Sequence, residues 1–185
     1  MREPWWTLNN SVDVGTVPQH QTMGSNYDYD ALNSVHHLPF DDLPNFEPNF
    51  NTVIIHGHAK LTDVISSAPI LPTGFLVSER LRKIFEQFEL PLHRFYPVPA
   101  SYRGKSLERY FWLQLPQARL SLTEDTSVAE AERLITSSPE LTGLHLLRLY
   151  RPSRFAYCFV SNQLRSAIEV ARITGVRFGT AKLFQ

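Results

Sequence analysis

The sequence contains a single cysteine, and this scarcity limits the kinds of protein that it can encode. Cys158 has no partner for an internal disulfide, and a zinc site built from several thiolates is excluded. No apolar run approaches the roughly 20 residues that a membrane-spanning helix needs. The first residues are not followed by the apolar stretch of a signal peptide, so we expect a cytoplasmic protein with no membrane partner.

Net charge is also absent, because 18 Lys and Arg balance 18 Asp and Glu among 185 residues. Such a balance argues against a protein whose whole surface binds nucleic acid or anionic lipid. The balance nevertheless hides an asymmetry. Residues 1–75 hold eight acids and two bases, a net charge of −6, whereas residues 76–185 hold ten acids and sixteen bases, a net charge of +6. The two halves either neutralise each other by packing together or present surfaces to different partners.

Recognisable catalytic motifs are missing as well. The sequence has no Walker loop, no G-x-G-x-x-G after a strand and no G-x-S-x-G. His56 and His58, at i and i+2 on a strand, would project to one face and could hold a metal with Asp63. His36-His37 and the nearby Asp41-Asp42 have acid–base chemistry, but they lie in a proline-rich segment that would position a catalyst poorly. We therefore expect no catalytic residue, no metal and no cofactor, and favour a binding protein over an enzyme.

What the sequence does have is a proline- and aromatic-rich first part. A proline recurs every four or five residues over 36–50, which excludes a long helix or a central strand there. We expect an irregular, acidic region over 1–72 that packs on the domain formed by 73–185. Tyrosine and aspartate alternate over 27–30, a pattern that fits either an interface for a basic partner or a polar loop whose rings fold back on the core.

A strand followed by a serine-capped helix is predicted twice. Ser78 and Ser161 are each placed to cap a helix whose apolar residues recur at helical spacing. The first helix should include Phe88 and end at Pro91. Segments 75–95 and 158–178 align without gaps and are identical at seven aligned positions, which indicates an internal duplication. With the other expected elements this predicts an α+β (or α/β) fold, a mixed sheet with short helices packed on it. Those other elements are a short β pair formed by 5–8 and 12–17, strands at 53–55, 110–115, 144–150 and 155–160, a helical turn at 63–65 and a helix over 128–136.

These segments resemble a bacterial family of immunity proteins that are encoded beside polymorphic toxins. The resemblance rests on G-F-L-V-S-E-R-L-R at 74–82, Y-F-W-L at 110–113, F-V-S-N-Q-L at 159–164 and I-T-G-V-R-F at 173–178. It covers about 75–180, and the family was first recognised in a myxobacterial protein. The resemblance implies a protein that binds one cognate toxin, delivered by contact-dependent or type VI systems, and carries over no catalytic residue.

The acidic first half is the surface that we expect to face the toxin, because many such toxins are nucleases with basic clefts. A basic face over 148–154 that meets an acidic toxin is the opposite possibility and also stays open. Two alternative functions stay open at this point. One is a metal-dependent enzyme that uses His56 and His58, and the other is a nucleic-acid-binding regulator that uses the basic segments 102–105 and 148–154. The oligomeric state is not predicted. The candidate toxin-binding residues are Tyr27, Asp28, Tyr29, Asp30, Asp41, Asp42 and Glu47.

Overall fold

A computed structural model describes most of the chain. The described residues are 4–10, 20–22, 27–55, 57, 60–65, 74–107, 109–116, 118, 120, 122–150 and 156–179. Three α-helices lie within them, namely α1 (Glu79–Phe85), α2 (Val128–Ser137) and α3 (Asn162–Val170). The strands are β1 (Trp5–Asn10), β2 (His20–Thr22), β3 (Val53–Ile55), β4 (Val64–Ile65), β5 (Gly74–Ser78), β6 (Arg94–Pro97), β7 (Ala100–Tyr102), β8 (Lys105–Leu107), β9 (Tyr110–Gln114), β10 (Leu146–Tyr150), β11 (Ala156–Ser161) and β12 (Val176–Gly179).

The strands of the described chain form three four-stranded sheets, and the helices pack on them. Two sheets are antiparallel, with the orders β4-β5-β9-β6 and β10-β11-β1-β12. The third, β2-β3-β7-β8, is mixed because β3 and β7 run parallel. The predicted α+β fold is therefore confirmed.

The two antiparallel sheets share one layout. In each, an edge strand pairs with the strand that enters the helix, a central strand follows, and the strand after the helix closes the sheet. The central strand is β9 in the first sheet but β1 in the second, so the N-terminal strand lies between β11 and β12. Strands β1 and β4 of the acidic first part thus complete sheets formed by later strands. The division of the chain at residue 72 stays a prediction.

The duplicated helices α1 and α3 contact each other and pack into one apolar cluster. Their first turns also repeat a finer feature. Arg82 and Arg165 each pair with a glutamate one turn later, with Nε to Oε1 distances of 2.7 and 2.9 Å. The guanidinium of Arg82 lies 4.5 Å from the Phe111 ring centre, and that of Arg165 lies 3.6 Å from a Trp6 ring centre. Both halves therefore use the same cation–π contact between helix and central strand.

The sheet that contains β10 and β11 is covered on both faces. Leu146 and Val160 pack against the α3 side, whereas Leu147, Leu149 and Phe159 pack against α2. All five side chains are fully buried. Successive side chains of a strand point to opposite faces. A strand that is covered on both faces is therefore apolar at nearly every position. This explains the composition of β10 and β11 except for the buried Arg148 in the middle of β10.

Two local expectations were wrong. Residues 63–65 do not form a helical turn, because Val64 and Ile65 pair with Val77 and Leu76 of β5 and so extend a sheet. α1 ends at Phe85 rather than close to Pro91, and Phe88 lies in the turn that follows.

Candidate functional site: an acidic arm

The segment 27–50, called here the acidic arm, has little regular secondary structure but is fixed at several points. The Tyr27 hydroxyl oxygen accepts a hydrogen bond from the Val35 N–H at 2.8 Å, and both residues are buried. Ser34 caps a short 3₁₀ helix over Val35–His37, with its side chain accepting from the His36 N–H. These contacts anchor the first part of the arm, although it contains little regular secondary structure.

The second part of the arm is fixed to the antiparallel sheet β4-β5-β9-β6. The Gln114 side-chain amide donates to the Pro39 carbonyl at 2.9 Å. Phe50 is buried, and its ring centre lies 5.7 Å from that of Tyr96 and 6.1 Å from that of Trp112. The Asn49 N–H also donates to the Asn33 carbonyl at 2.9 Å, which joins the two parts of the arm. The arm is therefore a structured surface of the protein.

The carboxylates of the arm face solvent. All five acidic residues between positions 27 and 50 are exposed, and no Lys or Arg occurs between Tyr27 and Ala59. Every ion pair among the described residues lies elsewhere, for example between Arg82 and Glu86 or between Arg165 and Glu169. The arm acids are therefore not neutralised by basic side chains of the described chain. They are Asp28, Asp30, Asp41, Asp42 and Glu47.

Large apolar side chains are exposed between these acids. Leu32 is 93% exposed, Phe40 is 42% exposed and Tyr29 is 40% exposed. They are three of the six large hydrophobic residues that are exposed in the described part of the chain. Tyr29 packs against the rings of Tyr27 and His36, with centre distances of 4.7 and 4.6 Å. Exposed apolar groups rimmed by polar residues mark a surface that binds another macromolecule when they form a contiguous patch.

The structure separates the roles of the predicted site residues. Tyr27 is 7% exposed and holds the arm, so Tyr29 is the accessible ring of the two. Asp28 and Asp42 each accept a nearby main-chain N–H, from Asp30 and from Leu43, and remain exposed. Leu32 and Phe40 were not among the binding residues predicted from the sequence. The signal for them is weak, since a single apolar residue in a polar loop is as often buried as exposed.

Ser78 and Ser161 lie at the first turns of α1 and α3, where their hydroxyl oxygens accept from the N–H groups of Leu81 and Leu164. The Ser78 hydroxyl also donates to Asp63 at 2.7 Å, and that carboxylate accepts from the amide and hydroxyl of Thr174. Burial alone would raise the pKa of Asp63. The hydrogen bonds from Ser78 and Thr174, with the charge of Arg80, outweigh burial and lower it below the usual value. Asp63 thus links the cap of α1 to the segment that follows α3.

The residues of the metal-enzyme alternative are only partly described. His56 and His58 lie outside the described residues. The Asp63 carboxylate already accepts hydrogen bonds from Ser78 and Thr174. Among the residues that the structure describes, no group of three or more His, Cys, Asp or Glu side chains is placed to hold a metal ion. Burial raises the pKa of the Cys158 thiol to about 12, which disfavours the reactive thiolate.

The basic segments do not form one surface in the described structure. Arg148 is only 4% exposed, whereas Arg103 and Lys105 lie at the exposed turn between β7 and β8. The other two bases of the segment 148–154, Arg151 and Arg154, lie outside the described residues. Within the described part of the chain, no helix has the length and apolar character needed to cross a membrane.

No family model matches this chain, and no curated protein matches it. The candidate site therefore depends on the geometry of the acidic arm.

Proposed function

We propose that this protein is a cytoplasmic immunity protein that binds one cognate toxin and neutralises it by covering the toxin's active site. The acidic arm is the binding surface in this proposal. The single observation that carries it is an anchored segment with five exposed carboxylates that form no ion pair with the described residues, and with Tyr29, Leu32 and Phe40 exposed among them in the sequence. The two segments in which a strand is followed by a serine-capped helix resemble polymorphic-toxin immunity proteins, and this resemblance also supports an immunity function.

The charge of the arm defines the partner. Carboxylates of one sign attract a basic surface and increase the rate of association. The cleft of a nuclease is such a surface because it binds phosphates. Aromatic and branched side chains then supply the apolar contacts that dominate affinity at the centre of an interface. A nuclease toxin with a basic cleft fits both features of the arm.

Co-expression tests the proposal most simply. We expect the protein to rescue growth of cells that express the toxin domain encoded next to its gene, and to copurify with that domain. Growth arrest despite soluble expression of both proteins, or failure to copurify, would refute the proposed class. Because neither readout depends on which surface is used, this experiment tests the immunity function separately from the role of the arm.

A further inference from the structure

A cluster of basic side chains surrounds the first turns of α1 and is called here the α1 patch. Lys83 Nζ lies 3.5 Å from Glu79 Oε1, and Arg109 Nε lies 3.7 Å from Glu79 Oε2, so these three side chains are neighbours. Arg80 lies one turn before Lys83 and donates to a main-chain carbonyl at the end of α3, beside the exposed Arg172. The bases of the α1 patch are Arg80, Lys83, Arg109 and Arg172.

The α1 patch keeps a positive charge in spite of its acidic neighbours. Glu79 lies between Lys83 and Arg109, and the buried Asp63 carboxylate lies 3.5 Å from Arg80. Four bases against these two acids leave a net charge of +2. The side chains of Arg80, Lys83 and Arg109 are 62, 67 and 81% exposed, so their charges are accessible to another molecule.

The α1 patch and the acidic arm lie on opposite faces of the sheet β4-β5-β9-β6. Phe50 of the arm packs in one apolar cluster with Leu76 and Trp112, whereas α1 packs in another cluster with Val77 and Leu113. Consecutive residues of a strand point to opposite faces of the sheet. The sheet therefore separates the arm from the α1 patch of the same molecule, and no ion pair joins the two among the described residues.

The surface of the chain that complements the α1 patch in charge is the acidic arm. It carries five exposed carboxylates and no Lys or Arg, a net charge of −5. The whole chain is neutral, so it offers no net positive charge to attract a nucleic acid. An acidic surface on a second copy of the chain fits the patch and leaves the assembly neutral.

One acid of the arm has a base in its surroundings. Burial raises the pKa of the Tyr96 hydroxyl, Arg94 lowers it and Glu47 raises it, so both charges lie close to this ring. We therefore assign the contact with the α1 patch to the other four carboxylates of the arm, which are those of Asp28, Asp30, Asp41 and Asp42.

We propose that the protein associates with itself head to tail, with the acidic arm of one copy on the α1 patch of the next. Each copy offers one arm and one patch on opposite faces of a sheet, so the contact is heterologous and extends to a third copy. Exposed ion pairs are individually weak and are screened by salt, so the assembly is dynamic and forms at high protein concentration. The inference shares the arm with the proposed function, but its test contains no toxin, so the two can fail separately.

Sedimentation equilibrium of the unmodified protein tests the association. At about 1 mM protein and about 0.01 M salt we expect an average mass above that of the monomer, which keeps rising with concentration. At about 1 M salt, where the screening length is only about 3 Å, we expect a monomer. A monomer at both salt concentrations, a mass that levels off at the dimer, or association that salt does not weaken would overturn the proposal.

Mixing two variants tests which surfaces meet. The arm variant changes the four aspartates named above to asparagine, and the patch variant carries Lys83→Glu and Arg109→Glu. Each should be monomeric alone, whereas a one-to-one mixture should form a dimer and nothing larger, because only one intact arm and one intact patch remain. The control carries Lys105→Glu and Arg177→Glu, at exposed bases outside the patch, and should associate as the unmodified protein does. A mixture of folded variants that stays monomeric, or a control that loses association, would contradict the proposed contact.

Discussion

Replacing Asp63 with alanine should lower the stability of the whole molecule, because this carboxylate links the two halves of the duplicated fold. Its side chain is 8% exposed and accepts hydrogen bonds from the Ser78 hydroxyl and from the amide and hydroxyl of Thr174, at 2.7, 3.0 and 2.8 Å. The buried Ser78 hydroxyl, left without its acceptor, costs about 1 kcal/mol or more, whereas the two donors of the exposed Thr174 can bond to water and cost less. Arg80 adds little because its side chain is 62% exposed.

We therefore expect Asp63→Ala to lower the free energy of unfolding by about 2 kcal/mol. For a domain of this size the melting temperature should fall by roughly 4–8 °C. Asp63→Asn keeps one acceptor oxygen and should show a smaller loss. Thermal and urea unfolding, followed by circular dichroism, measure both variants. A melting temperature for Asp63→Ala within about 1 °C of the unmodified protein would refute the reasoning.

The same site predicts a pH dependence with a definite sign. The pKa of Asp63 is lowered in the folded protein, so its stabilisation is present above the unfolded pKa of about 3.9. It is lost as pH falls through the folded value, where the carboxylate takes up a proton. The stability difference between the unmodified protein and Asp63→Asn should therefore be constant near neutral pH and shrink below about pH 4. A difference that grows on acidification would contradict this sign.

Three further substitutions test separate parts of the structure by unfolding measurements. Gly175→Ala should cost more than about 2 kcal/mol, because Gly175 has φ +83° and its added Cβ would lie 2.5 Å from the Val64 carbonyl oxygen. Ser127→Ala removes the cap of α2 and should cost about 1 kcal/mol. Tyr110→Phe removes the 2.6 Å hydrogen bond to the buried Thr62 carbonyl and should cost about 1 kcal/mol. A neutral effect of any one would contradict the contact named for it.

The local signals in the sequence are strong enough to predict the helices and the strands that precede them. A serine cap and apolar residues at helical spacing depend only on neighbours within about two turns. They locate α1 and α3 and the strands β5 and β11. Either Thr126 or Ser127 could cap α2, and the structure shows that Ser127 does. The fold class follows from the alternation of such elements with apolar strands.

Long-range pairing was not predictable from the same signals. β1 lies between β11 and β12, although these strands are far from it in the sequence. No local pattern of charge or hydrophobicity reports such a pairing. β4 consists of Val64 and Ile65 alone and is defined by its pairing with β5, which is why it resembles the start of a helical turn.

The candidate binding surface was also only partly predictable from the sequence. Charge is visible in the sequence, and the acids of the arm were identified from it. Burial is not visible there. Tyr27 and Tyr29 stand in identical Tyr-Asp contexts, yet Tyr27 is buried because its hydroxyl oxygen accepts from the Val35 N–H. Similarly, the partner of Ser161 is fixed by the pairing of β10 with β11, which brings His145 beside it.

The affinity of the cognate toxin for a charge-neutralised arm is the most direct test of the central claim. The variant carries Asp28→Asn, Asp30→Asn, Asp41→Asn and Asp42→Asn, and asparagine can keep the main-chain hydrogen bonds of these turns. The control neutralises the exposed Asp125 and Glu140 instead, and a variant with only Asp41→Asn and Asp42→Asn matches its charge change.

If the acidic arm faces a basic toxin surface, the fourfold variant should bind about 30-fold more weakly, a loss of about 2 kcal/mol from four charges. Its association should also be slower and less sensitive to salt, whereas the control should bind within about twofold of the unmodified protein. Unchanged affinity and unchanged salt dependence for the fourfold variant, with its fold intact, would contradict the account.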